Sequence, residues 1–180
     1  MAKWEQEALS KCPKQPQFYS WYLDDIFKIL SHSKEDFNNF FQILNSHLPN
    51  ITLKSCIAEK CIEFLDVIFF KGPQFNSKGI LDTNVYFKPT DTHELLHKSS
   101  YHPKHTFKGI IRSQIIRFYR ICNNTSDFDN ACSILFWTLK HRGYAPRFLR
   151  TMKKETLLKL QLNGKTFECN KARWKTRSHI

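Results

Sequence analysis

Phe18-Tyr19-Ser20-Trp21-Tyr22-Leu23-Asp24-Asp25-Ile26-Phe27 splits two short apolar runs, residues 18–23 and 26–30, with a pair of adjacent carboxylates. Runs of this length, rich in aromatic and β-branched residues and interrupted by residues that tolerate tight turns, predict a β-hairpin with the acids at its tip. Two carboxylates held there can bind a pair of divalent cations, which orient a 3′-hydroxyl and a triphosphate for in-line phosphoryl transfer. They also have a plainer use, because Asp accepts turn geometry and bonds its own backbone. The surrounding chain has to separate these readings.

Working outward, Ser33-Lys34-Glu35-Asp36 has the pattern of a capping box, and Phe37, Phe40, Phe41 and Leu44 follow at helical spacing. Pro49 and Asn50 stop that helix. Ile51 to Leu53, Cys61 to Phe70 and Ile80 to Phe87 read as strands, the last two joined by a turn from Gly72-Pro73 to Lys78-Gly79. Farther on, Ile111, Ile115, Phe118 and Cys122 form a stripe with spacings of 4, 3 and 4, and Phe128, Cys132, Leu135 and Leu139 repeat it after a cap within Ser126 to Asp129. Those are two amphipathic helices. Gly143 ends the second, and Pro146, at a first-turn position, opens a third that runs to about Leu160. The expected fold class is α+β, with order ββαβββ and then three helices.

Charge divides the chain more sharply than hydropathy does. Residues 1–90 hold 10 Lys, no Arg and 10 acids, whereas residues 91–180 hold 10 Lys, 8 Arg and 6 acids, so the whole net +12 lies in the second half. A basic segment with every arginine of the protein is the footprint of a polyanion, with a merely solvated basic surface as the alternative. With 180 residues, 41% of them hydrophobic and 16 of them Phe, the chain has the means to bury a core. Residues 1–14 lack the apolar run of a secretory signal, and no stretch has the length to cross a bilayer, so the expected setting is intracellular and nuclear, without a membrane partner. Cys12, Cys56, Cys61, Cys122, Cys132 and Cys169 are irregularly spaced, which suits reduced thiols.

Arg147, Arg150, Lys153 and Lys154 crowd the first two turns of the third helix, where the helix dipole favours acids, so an anion is expected to compensate. The second helix, the turn Gly143-Tyr144-Ala145 and the third helix together have the outline of a helix-turn-helix, whose second helix enters a DNA groove; many three-helix bundles share that outline. One motif points elsewhere. His93-Glu94-Leu95-Leu96-His97 fits the His-Glu-x-x-His of zinc peptidases, which needs a long helix, but Pro89 and Pro103 leave room for only a few turns. A structural zinc at His93, His97, His102 and His105 is the other metal option, set against histidines that are solvated or satisfied in place.

Taken together, residues 17–160 resemble the palm and thumb of a reverse transcriptase of the Penelope-like retroelement family. The resemblance rests on Trp21-Tyr22-Leu23-Asp24-Asp25-Ile26-Phe27, Ile62-Glu63-Phe64-Leu65-Asp66-Val67 and Val85-Tyr86-Phe87-Lys88-Pro89-Thr90-Asp91-Thr92, then Ser99-Ser100-Tyr101-His102-Pro103, Gln114 to Arg117 and Arg142-Gly143-Tyr144, in that order. It implies an RNA-directed DNA polymerase ancestry. Asp24 and Asp25 would be catalytic and hold Mg2+ or Mn2+, with Asp24 the main ligand, and Lys88 would sit at a primer-grip hairpin. The thumb would track a primer-template duplex through Arg112, Arg117, Arg120, Lys140, Arg142, Arg147, Arg150, Lys153 and Lys154. The implied organisation is an N-terminal segment at 1–14, a partial palm at 15–90, a helical thumb at 91–162 and a basic tail at 163–180.

The chain also departs from that pattern. A third carboxylate belongs on a strand before the catalytic hairpin, together with fingers, and Glu5 and Glu7 do not resemble that motif. The expectation is therefore a truncated polymerase domain, inactive alone, with the upstream part of the polymerase as a partner. The competing expectation is a helix-turn-helix-type nucleic-acid-binding module that keeps the palm strands as packing support.

Overall fold

The computed structural model describes residues 3–14, 16–29, 33–47, 50, 52–91 and 94–162. Among them the fold is mixed α+β, with six helices and two small antiparallel sheets, and the last three helices are consecutive. The described residues form two compact units, one within 1–59 and one within 60–175.

In the first unit, α1 (Lys3–Ser10) and α2 (Lys34–His47) flank a hairpin of β1 (Phe18–Tyr22) and β2 (Asp25–Ile29). The pairing runs from Phe18 opposite Ile29 to Tyr22 opposite Asp25, so the expected hairpin forms around a two-residue turn. The capping box also forms: Ser33 Oγ accepts the Asp36 N–H at 3.2 Å, and Asp36 Oδ2 accepts the Ser33 N–H at 3.3 Å. Phe37, Phe40 and Leu44 are the buried face of α2, and Phe40 and Leu44 share a core with Ala8 and Cys12. Lys28 places its amine 4.5 Å from the Phe37 ring centre and 4.0 Å from that of Phe40, and burial lowers its pKa to about 8.

The strand expected at Ile51 to Leu53 is not found. Ile51 lies outside the described residues, and residues 52–58 have no regular structure. Asn45, on α2, takes the backbone of Leu53 instead: its Oδ1 accepts the Leu53 N–H at 2.7 Å, and its amide donates to the Leu53 carbonyl at 3.4 Å. A backbone occupied by a helix side chain is not offered to a sheet.

The second unit begins with β3 (Cys61–Phe64), β4 (Val67–Phe70) and β5 (Asp82–Val85), paired antiparallel in that order, with a short helix α3 (Phe75–Lys78) between β4 and β5. The run expected as one strand from Cys61 to Phe70 is thus itself a hairpin. Leu65 adopts a left-handed φ of 56°, and Asp66 follows it; the Asp66 carbonyl accepts the Tyr86 N–H at 2.8 Å. The strand expected over Ile80 to Phe87 shortens to β5. At Gly72 a Cβ would collide with the Asp82 side chain, which would have to move.

Three long helices complete this unit: α4 (Lys104–Ile121), α5 (Thr125–His141) and α6 (Pro146–Leu162). Both expected stripes are buried, Ile111, Ile115, Phe118 and Cys122 on one side and Phe128, Cys132, Leu135 and Leu139 on the other. Leu149, Met152 and Leu160 of α6 close the same core. The cap of α5 lies slightly before the expected stretch, at Asn124, whose side chain accepts the Asp127 N–H at 2.8 Å. Asn123, only 3% exposed, ties β5 to the corner between α4 and α5: its N–H donates to the Thr83 carbonyl at 3.2 Å and its amide to Asp82 Oδ1 at 3.1 Å. Strands and helices therefore belong to one unit, and residue 90 falls between β5 and α4 within it.

Candidate nucleic-acid interface

At the tip of the first hairpin, Leu23 takes a φ of 51°, and Asp24 and Asp25 are both exposed. The second hairpin is built the same way. Phe64-Leu65-Asp66-Val67 repeats the aromatic-Leu-Asp order of Tyr22-Leu23-Asp24, with Leu again left-handed and the flanking residues paired across the turn. There the aspartate has a structural partner, Arg117, at 2.8 Å. An aromatic-Leu-Asp turn is therefore a construction this chain uses for packing as well, and the carboxylates at 24 and 25 must be judged on their surroundings. No group of three or more His, Cys, Asp or Glu that could hold a metal ion occurs among the described residues. Two adjacent exposed carboxylates would supply one or two of the six oxygens that Mg2+ or Mn2+ takes, the others falling to water or a bound phosphate.

The zinc options meet different geometry. His93 lies outside the described residues, and Glu94 to His97 form no helix, so the frame that places both imidazoles of a peptidase motif on one face is missing. The Glu94 carboxylate instead pairs with Arg142 at 2.9 Å, and His97 Nδ1 meets the Ser99 hydroxyl at 2.7 Å. His102 lies edge-on to the Phe107 ring at 6.5 Å.

The basic residues fall into two sets. Arg117 is half-buried, bound to Asp66 and donating to Gln114 Oε1 at 3.2 Å. Arg142 holds Glu94, and Lys153 holds Asp129 at 2.8 Å with its amine 5.1 Å from the centre of the Phe128 ring. Arg112 is half-buried, and its Nε is buried with no hydrogen-bond partner among the described residues. Arg117, Arg142 and Lys153 thus serve the fold in part. Lys88, Arg120, Lys140, Arg147, Arg150 and Lys154 are exposed. Of these, Arg147, Arg150 and Lys154 lie three and four residues apart and so share one outer face of α6.

The turn into α6 fixes how that face is presented. Gly143 takes a φ of 82°, and the N–H of Tyr144 returns to the Leu139 carbonyl at 3.1 Å, which closes α5 and releases the chain. The connection spans Arg142 to Ala145, one residue longer than expected. Tyr144 is 2% exposed and donates its hydroxyl to the Leu96 carbonyl at 2.9 Å, while Lys98 donates its N–H to the Arg142 carbonyl at 2.9 Å. Residues 94–98 thereby brace the turn. The helix starts differ in a telling way: α2 and α5 carry acids in their first turns and side-chain caps, at Ser33 and Asn124. No acid stands in the first turn of α4 or α6; Pro103 gives α4 no side-chain cap, and Ala145, which precedes α6, has no side-chain acceptor. Uncapped N–H groups beside Arg147 and Arg150 suit an external anion.

Reading by charge alone passes over Trp137. It lies two residues from Leu135, off the buried stripe of α5, and it is 66% exposed. That offset was the signal in the sequence. Residues 95–154 are similar to the family model described as the animal helix-turn-helix domain. The match takes in the bracing segment from Leu95 on, all of α4 and α5, the turn and the first half of α6, a third of the chain. No curated protein and no solved structure matches the chain.

Proposed function

We propose that the chain is a nucleic-acid-binding module of helix-turn-helix type, in which the basic outer face of α6 lies along a duplex. The observation that carries it is the uncapped, acid-free start of α6 with Arg147, Arg150 and Lys154 on its exposed face, inside the stretch similar to a helix-turn-helix model. That stretch holds 6 Lys and 6 Arg against 2 Asp, and both aspartates are engaged, Asp127 with Asn124 and Asp129 with Lys153. Phosphates would meet the N–H groups and guanidinium groups together. Lys140, at the end of α5 and beside Arg150, would extend the cationic face. In a titration against duplex DNA, affinity should fall linearly on a log–log plot with salt, with a slope of about −3 to −5 for four or five phosphate contacts; salt-independent binding, or none, would sink the reading.

A second reading keeps the polymerase setting: the module as the thumb of a reverse-transcriptase-derived protein. Its support is the first hairpin, which forms as expected with Asp24 and Asp25 exposed at its tip. Because the described residues offer those carboxylates no third metal ligand, primer extension with Mg2+ or Mn2+ by this chain alone should give no incorporation. Incorporation that disappears in Asp24→Asn would restore the catalytic role.

A further inference from the structure

Trp137 exposes a large aromatic face beside the helix-turn-helix turn, and its surroundings are specific. The His141 ring lies 4.3 Å from it at a 50° tilt, fixed by a hydrogen bond between His141 Nδ1 and the Trp137 carbonyl at 2.8 Å. Together with Lys140, Pro146, Leu149 and Arg150, the indole lines a shallow groove between the end of α5 and the start of α6. The groove thus has an apolar floor to which Phe136 contributes, the exposed indole and two cations, with no acid among its lining residues.

We infer that this groove takes an unpaired nucleotide, its base stacked on Trp137 and its phosphate held by Lys140 and Arg150, so that the module favours a duplex with a single-stranded extension over a blunt one. The inference rests on the duplex-binding reading and adds the nucleic-acid feature recognised. Charge complementarity selects the occupant. An apolar protein segment would cover the indole and leave both cations facing it without counter-charge, whereas a nucleotide supplies an aromatic plane and an anion at the spacing of one residue. Stacking on an exposed indole is tolerant of base identity, because every base has a π face, so the groove reads strandedness and not sequence. Its position next to the uncapped start of α6 puts the unpaired residue beside the last contacted phosphates of the duplex.

Fluorescence anisotropy tests this with a labelled blunt duplex of about 16 base pairs and the same duplex carrying an extension of about four thymidines, lengths chosen to span one binding site. The wild-type chain should bind the extended duplex about 5-fold or more tighter, as one stacked base allows. Trp137→Ala should bind the two equally, with the blunt-duplex affinity of the wild type, and Trp137→Phe should keep part of the preference. Arg147→Glu/Lys154→Glu should weaken both duplexes and preserve their ratio. Equal wild-type affinities would overturn the inference and leave the duplex reading standing. So would a preference that survives Trp137→Ala, since added phosphates alone would then account for it, or a Trp137→Ala loss shared by both duplexes. Absence of binding to either duplex would remove the duplex reading along with the inference.

Discussion

Two aspartates show how identical side-chain chemistry serves different ends here. Asp66 and Asp24 occupy equivalent hairpin turns, yet Arg117 claims only the first. Asp66→Ala should lower thermal stability, by an amount of about 0.5–1 kcal/mol suited to a partly exposed pair, whereas Asp24→Ala should leave melting unchanged. Equal effects would put Asp24 to structural use. Lys28 gives a pH signature. Its folded pKa, about 8, lies below the ordinary 10.5, so the protonated amine is penalised in the folded state and the unfolded chain binds the extra proton between those values. Stability from this group therefore rises as pH climbs from about 8 to 10.5, and the advantage of Lys28→Met over wild type should be full at pH 7 and shrink across that window. A difference constant with pH would contradict it. The thiols follow burial: desolvation pushes Cys122 up to about 11 and Cys132 up to about 12, while Cys56 and Cys61 are exposed. Iodoacetamide should label Cys56 and Cys61 in the native chain and reach Cys122 and Cys132 only after denaturation.

Elements were legible wherever burial repeats with a fixed period. The stripes at 111–122 and 128–139 predicted α4 and α5 because each needs only its own spacing to bury one face. The hairpin at 61–70 reads as one strand because no Gly, Pro or Asn marks its turn and only Glu63 and Asp66 interrupt the apolar residues, although Leu65-Asp66 repeats the Leu23-Asp24 of the first hairpin. The loss of a strand at 51–53 depends on Asn45, a helix residue with no local mark of that duty. Which cations are occupied was not legible either, because Arg117, Arg142 and Lys153 meet acids 51, 48 and 24 positions away. At this scale Asn123 is the joint between β5 and the helices, and Asn123→Ala should destabilise the chain by about 1–3 kcal/mol by removing the side-chain partner of Asp82 Oδ1 and of the Thr83 hydroxyl, while its backbone bond to Thr83 stays. Gly72→Ala should act on the same joint, by displacing Asp82; denaturant melts of both variants check this.

For the whole molecule, charge and architecture agree on one face of one unit. The second unit joins a three-stranded sheet to three helices, and its matched stretch carries nearly all of the net charge. That match addresses residues 95–154 and says nothing of the hairpin at 18–29. No helix among the described residues is long and apolar enough to cross a membrane. Positions on α6, and not total charge, should set affinity for a duplex. Filter binding of a duplex at fixed salt by wild type, by Arg147→Glu/Arg150→Glu and by the charge-matched control Lys34→Glu/Lys54→Glu separates position from charge. A loss of about 10-fold or more is expected for the α6 pair, as removal of two phosphate contacts implies, with near wild-type affinity for the control. Equal losses in both variants, or none in either, would contradict it.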